Sequence, residues 1–298
     1  MTKFNGVHTI MPTPFTDDGA LDLASLATLT EFLIGLGVDG LVVLGVLGEA
    51  PKLSQAEQDE VIRVTVKAAA GRVPVFAGTG AGGTDLAVEK SLSALALGAA
   101  GLLVAPPPVQ NDAVIYEYYR RIDAAVDKVI ILHDYPAATG ISLSPQLVVK
   151  LHAELKNVQV IKLEETPSVA KVTALRKLGS DISIVGGLGG MFFYEELERG
   201  SNGMMTGFSY PEVLVGIYRA YMAGDKAKAR DIFYGACPIL RYEFQPSIGL
   251  ALRKEVYRQR GAIKSAFVRH PGAQIDAQLK AELASALEHS GLKAGEHA

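Results

Sequence analysis

The sequence predicts an α/β fold, a (β/α)8 TIM barrel followed by a C-terminal extension of three helices. Short apolar runs recur eight times along the 298 residues, spaced by roughly 20 to 35 residues, one βα unit each. Most are continuous Val/Ile/Leu runs rather than alternating ones, as in parallel strands buried on both faces. Longer segments with helical spacing separate them, and beyond residue 224 the strand pattern stops. An open doubly wound sheet is the alternative, but such sheets usually have fewer strands.

The candidate strands are Val7–Met11, Leu41–Gly45, Val73–Ala77, Gly101–Ala105, Val129–His133, Val158–Leu163, Ile182–Gly186 and Gly203–Thr206. Ser54-Gln55-Ala56-Glu57 reads as a capping box ahead of Val61, Ile62 and Val66. Thr84 precedes a helix over Leu86–Leu97, and Asp112 one over Val114–Val126. Ser144-Pro145 supplies an N-cap and a first helical proline before Leu147–Leu155. Pro167 opens Val169–Leu178 and Pro211 opens Val213–Tyr221. The last three helices read as Lys226–Tyr234, Ile248–Arg260 and Asp276–Glu288, broken by Pro238, Pro246 and Pro271-Gly272. Residues 1–224 are thus expected to form the barrel and carry the active site. Residues 225–298 form the helical extension, covering barrel surface or joining subunits.

Hydrophobic types make up 49% of the chain against 20% charged, which excludes a disordered protein. The net charge is −3 and no Lys/Arg cluster stands out, so neither a nucleic acid nor a membrane surface is an expected partner. The single cysteine, Cys237, excludes an intramolecular disulfide framework and a multi-cysteine metal site. No apolar segment follows Met1-Thr2-Lys3-Phe4-Asn5-Gly6, and no stretch of about 18 residues lacks charge or punctuation. The expectation is a cytoplasmic protein.

Barrels of this kind carry their sites at the C-terminal ends of the strands. The segments there are Thr13–Phe15, Gly45–Glu49, Gly78–Gly83, Pro106–Gln110, His133–Pro136, Lys162–Thr166, Gly186–Gly190 and Thr206–Tyr210. They are rich in Gly and Pro, and of the six histidines they include only His133, so no metal is expected. Lys162 ends an otherwise apolar run. An amine there is costly unless it is neutral or paired, and a neutral amine in a dry pocket suits Schiff-base chemistry on a ketone. A lysine merely paired with Glu164 or Glu165 fits the position equally well. Strand alternation puts His133 and Tyr135 on one face and Asp134 on the other. His133 is then a candidate general acid/base, although a lone histidine ending a strand is more often structural.

Gly78-Thr79-Gly80-Ala81-Gly82-Gly83 fits G-x-G-x-x-G. A dinucleotide site would also need an acidic residue ending the next strand, which ends instead in Val104-Ala105-Pro106. A nucleotide-dependent oxidoreductase is therefore a minor reading. Gly186–Gly190 suits a phosphate, a carboxylate or simply a tight turn. Glu49, in the loop Gly45-Val46-Leu47-Gly48-Glu49, suits a structural carboxylate accepting backbone amides.

Taken in order, these motifs resemble the dihydrodipicolinate synthase / N-acetylneuraminate lyase family of class I Schiff-base lyases. The resemblance runs over nearly the whole chain, through Thr13-Pro14-Phe15, the G-x-x-G-E loop Gly45–Glu49, Gly78-Thr79-Gly80, Pro136, Thr139-Gly140, Lys162 and the last two Gly-rich turns. It implies that Lys162 forms an imine with the keto carbon of pyruvate or another 2-keto acid, with no other cofactor. It implies that Gly45, Val46, Leu47 and Gly48 receive the keto acid's carboxylate, and that Gly187 and Met205 line the same pocket through their backbone. His133 stands where most members have a proton-shuttling tyrosine. Glu164, on the parity of Lys162, would face the iminium. A homotetramer made of dimers is implied as well.

Three departures from the family pattern bear on function. Val46 and Leu47 replace hydroxyl residues. Ala138 replaces the arginine that holds the second substrate's carboxylate in the lysine-pathway synthases. Pro106-Pro107-Pro108-Val109-Gln110 replaces a tyrosine-bearing loop that usually makes a cross-subunit contact. These argue against dihydrodipicolinate synthesis and for the branch acting on 2-keto-3-deoxy sugar acids, with Lys162-Leu163-Glu164 and Met205-Thr206-Gly207 resembling its segments. The expected reaction is aldol cleavage of a 2-keto-3-deoxy acid to pyruvate and an aldehyde. Dehydration through the same imine is the alternative, and a catalytically inactive sensor or scaffold a third reading.

Overall fold

A computed structural model of the chain describes residues 4–292. Eight parallel strands pair in sequence order and close into a barrel, β8 against β1. They are β1 (Gly6–Ile10), β2 (Gly40–Val43), β3 (Val75–Gly78), β4 (Gly101–Val104), β5 (Val129–Asp134), β6 (Val158–Leu163), β7 (Ser183–Gly186) and β8 (Gly203–Thr206). All eight expected runs form strands. The third starts two residues late, beyond Pro74, which has no N–H for the ladder. The fifth runs one residue further, and that residue, Asp134, is buried.

The helices are α1 (Leu23–Gly35), α2 (Gln55–Ala69), α3 (Thr84–Ala96), α4 (Asp112–Ala125), α5 (Pro136–Thr139), α6 (Pro145–Glu154), α7 (Ser168–Lys177), α8 (Phe193–Glu198), α9 (Pro211–Met222), α10 (Lys226–Glu243), α11 (Gly249–Gln259) and α12 (Ala277–His289). Of these α1, α5 and α8 are additions to the sequence reading. The capping box forms as expected, Glu57 N–H donating to Ser54 Oγ and Ser54 N–H to Glu57 Oε2 at 2.8 Å. Asn111 rather than Asp112 caps α4, its side chain accepting from Ala113 and Val114.

Pro238 does not break its helix. The residue lies inside α10, which continues to Glu243. One lost backbone bond costs about 3 kcal/mol, and the carbonyl it strands belongs to Tyr234, whose residue is exposed to water. The face carrying Ala229, Phe233, Ala236, Ile239 and Leu240 meanwhile stays buried, which offsets that cost.

Each strand contributes one side chain to an interior cluster: Ile10, Val42, Phe76, Leu103, Ile131, Val160, Val185 and Met205. The barrel centre is therefore packed, and the residues two further along each strand surround its C-terminal mouth. Among the described residues no helix is long and apolar enough to cross a membrane, and no three His, Cys, Asp or Glu side chains group as a metal would need.

Candidate active site

The barrel mouth opens into a cavity of about 720 Å³. Strand register builds its centre. His133 on β5 pairs with Lys162 on β6, so two inward side chains of adjacent strands lie next to each other, and Glu164 follows Lys162 on the same face. Lys162 Nζ contacts Glu164 Oε2 in a short ion pair and lies 3.0 Å from His133 Nε2. The same His133 nitrogen lies 2.8 Å from Glu164 Oε2. All three residues are buried, while Lys162 and Glu164 also line the cavity.

The Gly-rich turn after β7 completes this arrangement. Leu188 N–H donates to Glu164 Oε1 at 2.8 Å, from a backbone held at φ 48°. A Cβ on Gly187 would overlap the Glu164 side chain, so glycine is required there by the carboxylate beside it. Burial works against an ionised Glu164, but the charge of Lys162 and the His133 hydrogen bond outweigh it and hold the carboxyl at about 2. Burial, reinforced by the Lys162 charge, pushes the His133 imidazole below its ordinary 6.5. At neutral pH the site therefore holds a carboxylate and a neutral imidazole against one amine. With its own proton on Nδ1, such an imidazole can accept the lysine's proton at Nε2, and the resulting Nε2–H then donates to the Glu164 carboxylate.

The sequence-predicted residues fall into three groups. Lys162, Glu164, Val46 and Leu47 line the cavity. His133 lies behind Lys162, stacked on Tyr135 with ring centroids 5.9 Å apart. Gly45, Gly48, Gly187 and Met205 are absent from the cavity lining. Met205 belongs to the packed layer beneath, because its strand parity points the side chain at the barrel axis one layer down. Thr206 and Gly207 take the lining position instead, and Thr206 Oγ1 accepts from Gly189 N–H at 3.0 Å. Glu165 turns away from Lys162 and pairs with Lys171, which also holds Asp134 at 2.6 Å.

The Gly45–Glu49 loop is a single 3-10 turn, Val46–Gly48, whose first N–H groups have no partner within it. Thr13 Oγ1 ties it down by donating to Gly48 C=O at 2.6 Å. Glu49 accepts from the Arg269 backbone N–H, as a structural carboxylate should, and also pairs with Lys254 and Lys52. Backbone contact alone accounts for two glycines of the G-x-G-x-x-G segment. A Cβ on Gly78 would overlap Leu44 C=O, and one on Gly80 would lie 2.7 Å from Ala105 N.

Several cavity residues escaped the sequence reading. Tyr135 joins the lining, its ring centroid 6.0 Å from Lys162 Nζ, and strand alternation with His133 was the available signal. Phe244, Gln245, Pro246, Ser247, Gly249, Leu250 and Arg253 come from the C-terminal segment. Nothing in their spacing points to the barrel mouth.

The dihydrodipicolinate synthetase family model matches residues 3–290, and the chain belongs to that family. It is 31% identical over 290 residues to L-2-keto-3-deoxyarabonate dehydratase of Azospirillum brasilense, covering 94% of this chain and 93% of that one. It is 34% identical over 292 residues to 4-hydroxy-tetrahydrodipicolinate synthase of Methanosphaerula palustris, covering 95% and 98%. Among solved structures it superposes with a TM-score of 0.91, at 29% identity, on YagE of Escherichia coli K12, a prophage protein of the same family in complex with pyruvate. That match covers 98% of this chain and all of the other.

Proposed function

We propose that this chain is a Schiff-base lyase of 2-keto-3-deoxy acids, with Lys162 as the amine. The observation that carries the reading is Lys162 Nζ on the cavity wall, 3.0 Å from a histidine whose burial keeps it neutral. His133 takes the ammonium proton, and Glu164 balances the imidazolium. The freed amine attacks the C2 ketone and water leaves, giving an iminium that draws electrons from C3. A base then removes the C4 hydroxyl proton, the C3–C4 bond breaks and an aldehyde departs. Protonation of the enamine at C3 and hydrolysis release pyruvate and return the amine. The first N–H groups of the Val46–Gly48 turn receive the C1 carboxylate, in place of the missing hydroxyls.

A second reading is elimination of water from the same iminium, through loss of a C3 proton and the C4 hydroxyl. The arabonate dehydratase relative favours it. Relatives named as 4-hydroxy-tetrahydrodipicolinate synthases are equally similar, so similarity does not choose between these activities. Ala138, exposed on α5 with no charge to offer, supports a reaction other than that synthesis.

Incubation with pyruvate and borohydride tests the amine, since the reading requires a reduced adduct that maps to Lys162. No adduct would leave a non-catalytic barrel as the better account. Products from a panel of 2-keto-3-deoxy acids then separate the reactions: pyruvate for cleavage, a 2-keto acid lighter by one water for elimination.

A further inference from the structure

We propose that Arg253 is the receptor for a second carboxylate, at the end of the substrate remote from the keto group. The preferred substrates are then 2-keto dicarboxylates. This rests on the reading of Lys162 as the group that takes the keto carbon.

Arg253, on α11, is only 5% exposed and yet lines the cavity. Its Nε is buried without a hydrogen-bond partner, and its ionic contact is with Glu243 Oε2 at 3.4 Å. Glu243 is occupied elsewhere, accepting from the Ser209 backbone N–H at 3.2 Å and from the Ser209 hydroxyl. The carboxylate lies on the Nε side of the guanidinium and leaves the Nη fork free. Two glycines frame that fork. A Cβ on Gly189 would lie 3.3 Å from Nη2, and one on Gly249 3.4 Å from Nη1. The nearby wall of Phe244 and Leu250 is apolar, as are Ile10, Val46 and Leu47 on the cavity lining.

A guanidinium carries five donors and loses free energy when it is buried with them unused. Its parallel N–H groups match a carboxylate bidentately, whereas a sugar hydroxyl satisfies them only in part. Lys162, the other cation on the cavity lining, already has Glu164. Arg253 has the unclaimed donors, and both cations line one cavity whose volume of about 720 Å³ accommodates a chain of five or six carbons.

The test compares acids that differ only at the far end: 2-oxoglutarate with 2-oxovalerate, and 2-oxoadipate with 2-oxohexanoate. The readout is the concentration giving half-maximal borohydride adduct by intact mass. In at least one pair the dicarboxylate should half-saturate at a concentration lower by about tenfold or more, the strength of a charge-assisted hydrogen bond. Arg253→Gln should erase that advantage. Arg253→Lys keeps the charge without the fork and should retain part of it, which also guards against a glutamine variant that does not fold. Equal half-saturation within both pairs in the unmodified protein overturns the proposal. So does an Arg253→Gln variant that weakens both members of a pair alike, since Arg253 would then hold the keto acid's own carboxylate or serve structure alone. If pyruvate forms no adduct, it is the imine reading that fails. Calorimetric titration with the same pairs then judges Arg253 by the same ratio.

Discussion

Two buried lysine–glutamate pairs, Lys162–Glu164 and Lys254–Glu49, differ in what surrounds them. Lys254 is sealed. Its Nζ donates to Glu49 Oε1 at 2.6 Å and to Phe267 C=O at 2.8 Å, and lies 4.6 Å from the centroid of the Phe15 ring. Burial lowers its amine to about 8 against the opposing pull of Glu49, yet it lies off the lining of the mouth cavity. Lys162 lines the open mouth, and its partner carboxylate is shared with an imidazole 3.0 Å from the amine. A lowered lysine pKa is therefore not enough for chemistry. The nitrogen also needs a path for the ketone and an acceptor for its proton.

Substitution of the two lysines separates these roles most strongly. Lys162→Met should cut turnover by more than about three orders of magnitude and abolish the pyruvate–borohydride adduct. Lys254→Met should still give the adduct on Lys162, while losing about 1–3 kcal/mol in urea unfolding, since Glu49 keeps Lys52 and the Arg269 N–H. An adduct mapped to Lys254 would break the contrast. Next in size is His133→Phe, which should lower turnover by at least about two orders of magnitude while trapping on Lys162 persists. Turnover near that of the unmodified protein would take proton transfer away from the imidazole.

Acid should sharpen the comparison further. The Glu164 carboxyl is held at about 2 against an ordinary 4.5, so its stabilisation is complete above pH 4.5 and disappears as pH falls towards 2. The loss is on the order of 3 kcal/mol, and Glu164→Gln should remove that part of the pH dependence of unfolding. The His133 value is depressed as well. Folding therefore favours its neutral form, so stability is retained above pH 6.5 and lost as pH falls below it, and the acid limb of the pH–rate profile should lie below 6.5. The smallest effect expected is that of Gly187→Ala, whose methyl group must displace Glu164. A cost of about 1–3 kcal/mol in denaturant unfolding is expected, and an unchanged stability would mean that the turn yields freely.

The barrel was legible because parallel strands buried on both faces leave long apolar runs, and because Ser54, Glu57, Ser144 and Pro145 mark helix starts locally. Lys162 and His133 were legible for a related reason: a polar residue ending an apolar strand is conspicuous. The C-terminal wall was not. Arg253, Lys254 and Glu255 are three charged residues in a row on a helix, a pattern that reads as a solvated face. All three are buried, because Arg253 meets Glu243, Lys254 meets Glu49, and Glu255 meets Arg258 and Gln259.

From its order of residues alone, this chain determined eight strands, the helices that separate most of them, and a lysine and a histidine each at the end of an apolar strand. Those features depend on neighbours in sequence, through alternation, helical period and capping. The cavity itself was decided only when the chain closed. Barrel closure set His133 against Lys162, the turn after β7 brought Leu188 and Gly187 to Glu164, and the returning C-terminal helices placed Arg253 over the mouth. Each of these contacts joins residues distant in sequence, so it is fixed by packing and electrostatics across elements rather than by any local pattern.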